Sequence, residues 1–165
     1  DDHADPPLWR KQNNAFALRH AMTMLEAALA GDHETVAATG DDMLASCTNV
    51  VEERSAPRWL EDLKHDLEER SLASVCVGAQ ARRAGAHPAH ASRLFRRCYG
   101  ASMTEFAQMH SVRRALRSLT HSTEPLSEVA LAAGFYDQSH MTRVFRRVTA
   151  RTPGAHRAMF AAALG

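Results

Sequence analysis

The 165 residues (18.2 kDa) are 45% hydrophobic and 24% charged with a formal net charge of +1, a composition that describes one or two soluble domains. No apolar run approaches the roughly 18 residues needed to span a bilayer, and no basic-then-apolar leader precedes a small-residue cleavage site, which argues against membrane and secreted classes. Cys47, Cys76 and Cys98 are odd in number and lack CxxC spacing, which argues against a disulfide framework or thiolate zinc site and fits a reducing cytoplasm.

The chain opens on Asp1 rather than Met, as expected for the tail of a longer protein. Its net charge hides a division at Arg70. Residues 1–70 carry seven Lys and Arg against fifteen Asp and Glu, or −8; residues 71–165 carry thirteen Arg, no Lys and four acids, or +9. A basic half that also holds six of the ten histidines points to an anionic partner such as nucleic acid, against the plainer reading of an Arg-rich solvated surface.

In the acidic half, Phe16, Ala21, Met22, Met24, Leu25, Ala28 and Leu29 predict a helix over Ala15–Ala30, stopped by Gly31. Asp32 then caps a second helix from His33 to about Glu53, weakened in its middle by Gly40. Ser55-Ala56-Pro57 reopens a helix with Pro at its first position, and Trp59, Leu60, Leu63 and Leu67 give it one apolar stripe. No chemistry announces itself here. These helices serve dimerisation or signal coupling, or else give simple packing support to the basic half.

The basic half contains an internal repeat. Ala84-Gly85-Ala86-His87-Pro88-Ala89-His90-Ala91-Ser92-Arg93-Leu94-Phe95-Arg96-Arg97 returns as Ala133-Gly134-Phe135-Tyr136-Asp137-Gln138-Ser139-His140-Met141-Thr142-Arg143-Val144-Phe145-Arg146-Arg147. The offset is 49 before His90 and 50 from it onward, so the second turn holds one extra residue. A short helix precedes each copy, Val77 to Ala84 and Leu126 to Ala133, with Ala81 and Ala130 in equivalent places where a small side chain admits close helix approach. Each copy therefore reads as helix, glycine turn, helix. Between them Ser102-Met103-Thr104-Glu105 has capping-box spacing and starts a connecting helix to about Leu119, with Phe106, Met109, Val112, Leu116 and Leu119 as its buried stripe. The expected architecture is all-α: two helix-turn-helix subdomains joined by that helix and preceded by an N-terminal helical segment.

Two such units on a basic chain point to double-stranded DNA, because the second helix of each fits a major groove. Ala91, Leu94 and Phe95, then Met141, Val144 and Phe145, face the core. The opposite faces hold Ala89, Ser92, Arg93 and Arg96, and Gln138, Ser139, Thr142, Arg143 and Arg146. Arg93 and Arg143 have the reach for guanine O6 and N7, and Gln138 for adenine; with Ala89, Ser92, Ser139 and Thr142 they form the base-reading set. Arg96, Arg97, Arg146 and Arg147, nearer the helix ends, suit phosphates.

From about Pro57 to Phe160 the chain resembles the DNA-binding domain of AraC/XylS transcription regulators. The residues that carry this are Ala84-Gly85, Ser92-Arg93-Leu94-Phe95-Arg96-Arg97, Gly100, Glu128-Val129-Ala130, Ala133-Gly134-Phe135, Asp137-Gln138-Ser139-His140, Arg143-Val144-Phe145-Arg146-Arg147, Thr152-Pro153 and Arg157. The resemblance implies a seven-helix, two-lobed domain whose recognition helices enter successive major-groove segments on one DNA face. It divides the chain into an acidic linker or dimerisation segment, 1–56, and a double helix-turn-helix domain, 57–165. Double-stranded DNA is the expected partner, with RNA polymerase and a second copy through the N-terminal helices as further candidates and no membrane role. The chain departs from the family pattern at Ala91, commonly Leu; Gln80, usually apolar; Ser111, often Arg; and Ala150, frequently Gly.

Other chemistry finds little support. His87, His90 and Cys98 offer an incomplete metal set without a fourth ligand, so no metal is expected, and N-terminal packing or DNA-backbone contact suits the histidines better. Cys98 beside Arg96 and Arg97 suggests a redox thiol only against the simpler reading of an inert half-buried one. GxSxG, P-loop, HExxH and dinucleotide-turn patterns are all missing from the sequence, so neither catalysis nor a cofactor is expected. The competing reading from another class is a helical protein-interaction module, or a regulator fragment that has lost DNA binding.

Overall fold

Apolar spacing and cap residues produce helices throughout: the computed structural model describes residues 14–47, 56–69 and 77–164, and among these it has nine helices and no strand. Helix α1 (Asn14–Ala30) packs against α2 (His33–Cys47) across a tight turn, in which the Asp32 amide donates to the Ala27 carbonyl at 2.8 Å. Asp32 is the cap the sequence predicts. Its carboxylate accepts from the Thr35 amide (3.0 Å) and hydroxyl (2.6 Å), and these bonds lower its pKa. The part of the second predicted helix beyond Cys47 lies outside the described residues.

Helix α3 (Arg58–Glu69) starts one residue later than expected. Pro57 stands ahead of the first turn, and its carbonyl accepts from the Leu60 and Glu61 amides at 2.8 and 3.2 Å. Leu60, Leu63 and Leu67 are fully buried, as the stripe requires. The remaining helices are α4 (Val77–Arg83), α5 (Pro88–Tyr99), α6 (Met103–His121), α7 (Leu126–Ala132), α8 (Gln138–Thr149) and α9 (Pro153–Leu164). They fall into two units. One comprises Asp1–Asp62 and Val77–Ser102, where α4 packs on α5; the other comprises Leu63–Cys76 and Met103–Gly165, where α6 is the post for α7, α8 and α9.

Both copies of the repeat turn in the same way. Gly85 (φ 70°) and Gly134 (φ 87°) follow the short helices, and the amides of Ala86 and Phe135 donate back to the carbonyls of Ala81 and Ala130 at 2.8 and 2.9 Å. Ala81 and Ala130 are wholly buried, which is the close approach their small side chains predict. The second helices then begin at caps 50 residues apart: His87 Nδ1 accepts from the Ala89 amide at 3.3 Å, and Asp137 Oδ1 from the His140 amide at 2.6 Å. The offset is still 49 at Ala86 and Phe135, so the inserted residue is Tyr136.

Behind α5 lie Ala91, Leu94, Phe95, Cys98 and Tyr99; behind α8 lie Met141, Val144, Phe145, Val148 and Thr149. Burying each large apolar side chain contributes roughly 1.5–3 kcal/mol. In the second unit Thr152 caps α9 by accepting from the Ala155 amide at 3.2 Å, with Pro153 at the first helical position. This brings His156 into the core, its ring 5.8 Å from that of Phe145 and 4.8 Å from that of Phe160.

Candidate nucleic-acid interface

Each second helix separates an apolar back from a polar front, so each fold unit collects its own set of site residues. On α5 the side chains of Ala89, Ser92, Arg93, Arg96 and Arg97 are exposed. On α8 those of Gln138, Ser139, Arg143, Arg146 and Arg147 are exposed and Thr142 is half-buried. One face of α5 and one face of α8 thus carry every residue assigned to base or phosphate contact. Either front is rich in arginine, whose planar donors match guanine edges and phosphate oxygens alike.

Local bonds limit what some of these groups can offer. The Ser92 hydroxyl donates to the Pro88 carbonyl at 3.1 Å, and the Thr142 hydroxyl makes the equivalent bond to the Gln138 carbonyl at 2.9 Å. With their protons committed to the backbone, Ser92 presents an acceptor, and Thr142 an acceptor and a methyl group. Arg147 donates to Oε1 of Gln108 on α6, a link that ties the end of α8 to the post behind it.

Two residues outside the assigned set, Tyr136 and Arg114, were given no role by sequence reasoning. Tyr136, at 86% exposure, stands immediately before the α8 cap, and its amide donates to Nδ1 of His140 at 3.3 Å. The change of offset from 49 to 50 was its signal in the sequence. His140 in turn lies edge-on to Phe135, with ring centroids 5.5 Å apart. Arg114, on α6, donates to the backbone at the end of α7 and has no front-face position in the repeat.

The basic half does not present all its charge at the surface. Arg113 and Arg114 are partly buried, and desolvation lowers the pKa of both; Glu68 and Glu69 of α3 act in the opposite direction on Arg113 and Arg114 respectively. His110, its ring tilted 34° to that of Phe106 with centroids 4.7 Å apart, is lowered to about 4, first by burial and then by Arg113, Arg114 and Lys64. It is neutral at physiological pH.

The histidines considered for metal have other surroundings: His87 is a helix cap, and His90 is exposed. Among the described residues no cluster of three His, Cys, Asp or Glu side chains could hold a metal ion. Cys98 is buried, which agrees with the inert reading of that thiol. No helix among them is long and apolar enough to cross a membrane.

Against known proteins, the family described as a helix-turn-helix domain matches residues 80–159, a span that holds both copies of the turn. The HTH-type transcriptional regulator GlxA of Rhizobium meliloti is 37% identical over 79 residues, covering 48% of this chain and 24% of that protein. The bifunctional transcriptional activator/DNA repair enzyme AdaA of Bacillus subtilis is 26% identical over 89 residues, covering 54% of this chain and 38% of the relative. The chain thus spans between a quarter and two fifths of these relatives. A solved transcriptional regulator from Chromobacterium violaceum, described as containing an AraC-type DNA-binding domain, superposes with a TM-score of 0.54 at 21% identity, over 62% of this chain and 92% of that one. The likeness is one of fold.

Proposed function

We propose, from the match of residues 80–159 to a helix-turn-helix family and the resemblance to AraC-type domains, that this chain binds double-stranded DNA through the fronts of α5 and α8 and acts within a transcription regulator. The observation that carries the reading is the twice-built helix front, Ser92-Arg93 with Arg96 and Thr142-Arg143 with Arg146, set on the same buried back. Arg93 and Arg143 read guanine through paired hydrogen bonds and Gln138 reads adenine, with Ala89, Ser92, Ser139 and Thr142 completing the contact surface. Arg96, Arg97, Arg146 and Arg147 hold phosphates, which fix register without reading sequence. The two fronts take successive major-groove segments.

Residues 1–56 form the acidic linker or dimerisation segment of this proposal, with the α1–α2 pair and its exposed Leu29 as the surface a second copy would meet. Contact with RNA polymerase and a cytoplasmic location follow from a role in transcription; no catalytic step is assigned.

The test is binding to a random duplex pool across salt concentrations. Six phosphate contacts give a slope of log K against log salt of about −5. A folded chain without salt-sensitive affinity for any duplex would leave the protein-interaction reading in place.

A further inference from the structure

Arg114 sits on α6 and takes no part in either front, yet its guanidinium reaches two helix ends. Nη1 donates to the carbonyl of Glu68, one residue from the end of α3, at 2.6 Å. Nε and Nη2 donate to the carbonyl of Ala133, the C-cap of α7, at 3.2 and 3.0 Å. Nη2 also donates to the Ser111 hydroxyl at 3.0 Å. Helix C-termini leave carbonyls without intrahelical partners and carry partial negative charge, so one half-buried cation satisfies two such ends at once.

The position of the second end matters most. At the close of α7 the Ala130 carbonyl is taken by the Phe135 amide and the Leu131 carbonyl by the Gly134 amide. Ala133 lies one residue beyond the helix, and its carbonyl begins the peptide that enters Gly134. From there only Phe135 and Tyr136 separate the turn from the Asp137 cap of α8. Fixing this carbonyl fixes the chain where its direction changes from α7 to α8. A lysine would keep the charge, but its compact ammonium lacks the planar fork of donors that spans two helix ends.

We propose that Arg114 is a positioning residue for α8: by holding the Ala133 carbonyl and the end of α3 with one guanidinium, it sets the angle at which Gln138, Ser139, Thr142 and Arg143 meet DNA. This inference rests on the reading that α8 contacts bases. It gives Ser111 a purpose as well, as the acceptor that keeps the guanidinium in plane between the two carbonyls.

The experiment uses the full chain and a random duplex pool, and compares wild type with Arg143→Ala, Arg93→Ala, Arg114→Lys and Arg114→Ala. Arg143→Ala marks the base positions that α8 reads, and Arg93→Ala those that α5 reads. Arg114→Lys, folded by circular dichroism and melting cooperatively, is expected to flatten preference at the positions marked by Arg143→Ala alone. Its affinity for the selected sequence is expected to fall about tenfold or more, comparable to one mismatched base pair, with the salt slope unchanged because no phosphate contact is lost. If Arg114→Lys melts earlier but keeps the wild-type preference at those positions, Arg114 is only a brace and the proposal is wrong. Should Arg143→Ala itself leave preference unchanged, the reading of α8 fails and the proposal falls with it. Arg114→Ala gives the same comparison wherever it folds, and the Lys variant decides where it does not.

Discussion

The two copies of the repeat share a plan and differ in how their ends are secured. The first helix-turn-helix starts its reading helix with a histidine cap and closes it with Gly100 at φ 72°, whose amide donates to the Arg96 carbonyl. The second starts with an aspartate cap, carries the additional Tyr136 in its turn, and closes with Ala150 held at φ 62°. It also draws on α6 and α9 through Arg114, Gln108 and His156. The lesson is that a repeat preserves the hydrophobic back and the arginine front, while caps and supports are free to diverge provided each leaves the backbone satisfied.

The largest expected effects come from the backs. Phe95→Ala and Phe145→Ala each remove a side chain with no exposed surface and are expected to cost about 3–5 kcal/mol in denaturant unfolding. Amide exchange followed residue by residue should show protection lost mainly in the mutated copy; equal loss in both would mean that the copies do not open separately.

Next come the fronts. Arg93→Ala and Arg143→Ala are each expected to lose roughly 1–3 kcal/mol of DNA affinity and to relax preference at different base pairs. Arg96→Ala and Arg146→Ala should weaken all sequences alike. Uniform losses across all four would remove the distinction between reading and anchoring arginines.

The closing residues offer a reciprocal test. A left-handed backbone strains an L-residue and suits glycine, so Gly100→Ala is expected to lower stability by about 1 kcal/mol and Ala150→Gly to raise it by a similar amount. Thermal midpoints moving in opposite directions would confirm that the two ends keep one geometry with different residues; a destabilising Ala150→Gly would show that the methyl group has a packing role.

The last effect depends on pH and is absent at neutrality. His110 has a folded pKa of about 4, below the ordinary 6.5, so the fold prefers its neutral form. The stability it contributes is complete above pH 6.5 and is lost as pH falls through 4. His110→Gln should therefore flatten the fall in melting temperature between pH 7 and pH 4.5. An unchanged slope would place the acid sensitivity elsewhere, and if DNA preference at the α8 positions tracked the same titration, the post behind the second copy would be implicated in reading.

The periodicity of the sequence made the backs and fronts of α5 and α8 readable, because Leu94, Phe95, Val144 and Phe145 fall on one side of a 3.6-residue turn and the arginines on the other. The repeat made Ala81 and Ala130 readable as contact points in the same way. Other features had no such signature. The sequence shows that one residue was inserted in the second turn, but only the two caps identify it as Tyr136. The sequence places His87 at a helix N-terminus rather than in a metal set, but its bond to the backbone two residues on is local geometry and not a pattern of residue types. Arg114 was hidden for a deeper reason: its partners are main-chain oxygens 46 and 19 residues away, and every residue type supplies such an oxygen. Ser111 departs from the arginine common in the family the sequence resembles, and in the fold it accepts from the arginine one turn further along.

That grip on main-chain oxygens carries a consequence for how the protein tolerates change. A salt bridge constrains two side chains, so replacing either one abolishes it. Arg114 holds carbonyls, which survive any substitution at their own positions. Glu68 can be exchanged for nearly any helix former without removing its acceptor, and Ala133 is restricted by its burial rather than by its bond. In a saturation scan scored by DNA binding, the tolerance profile should be lopsided, with a deep minimum at 114, a shallow one set by volume at 133 and almost none at 68.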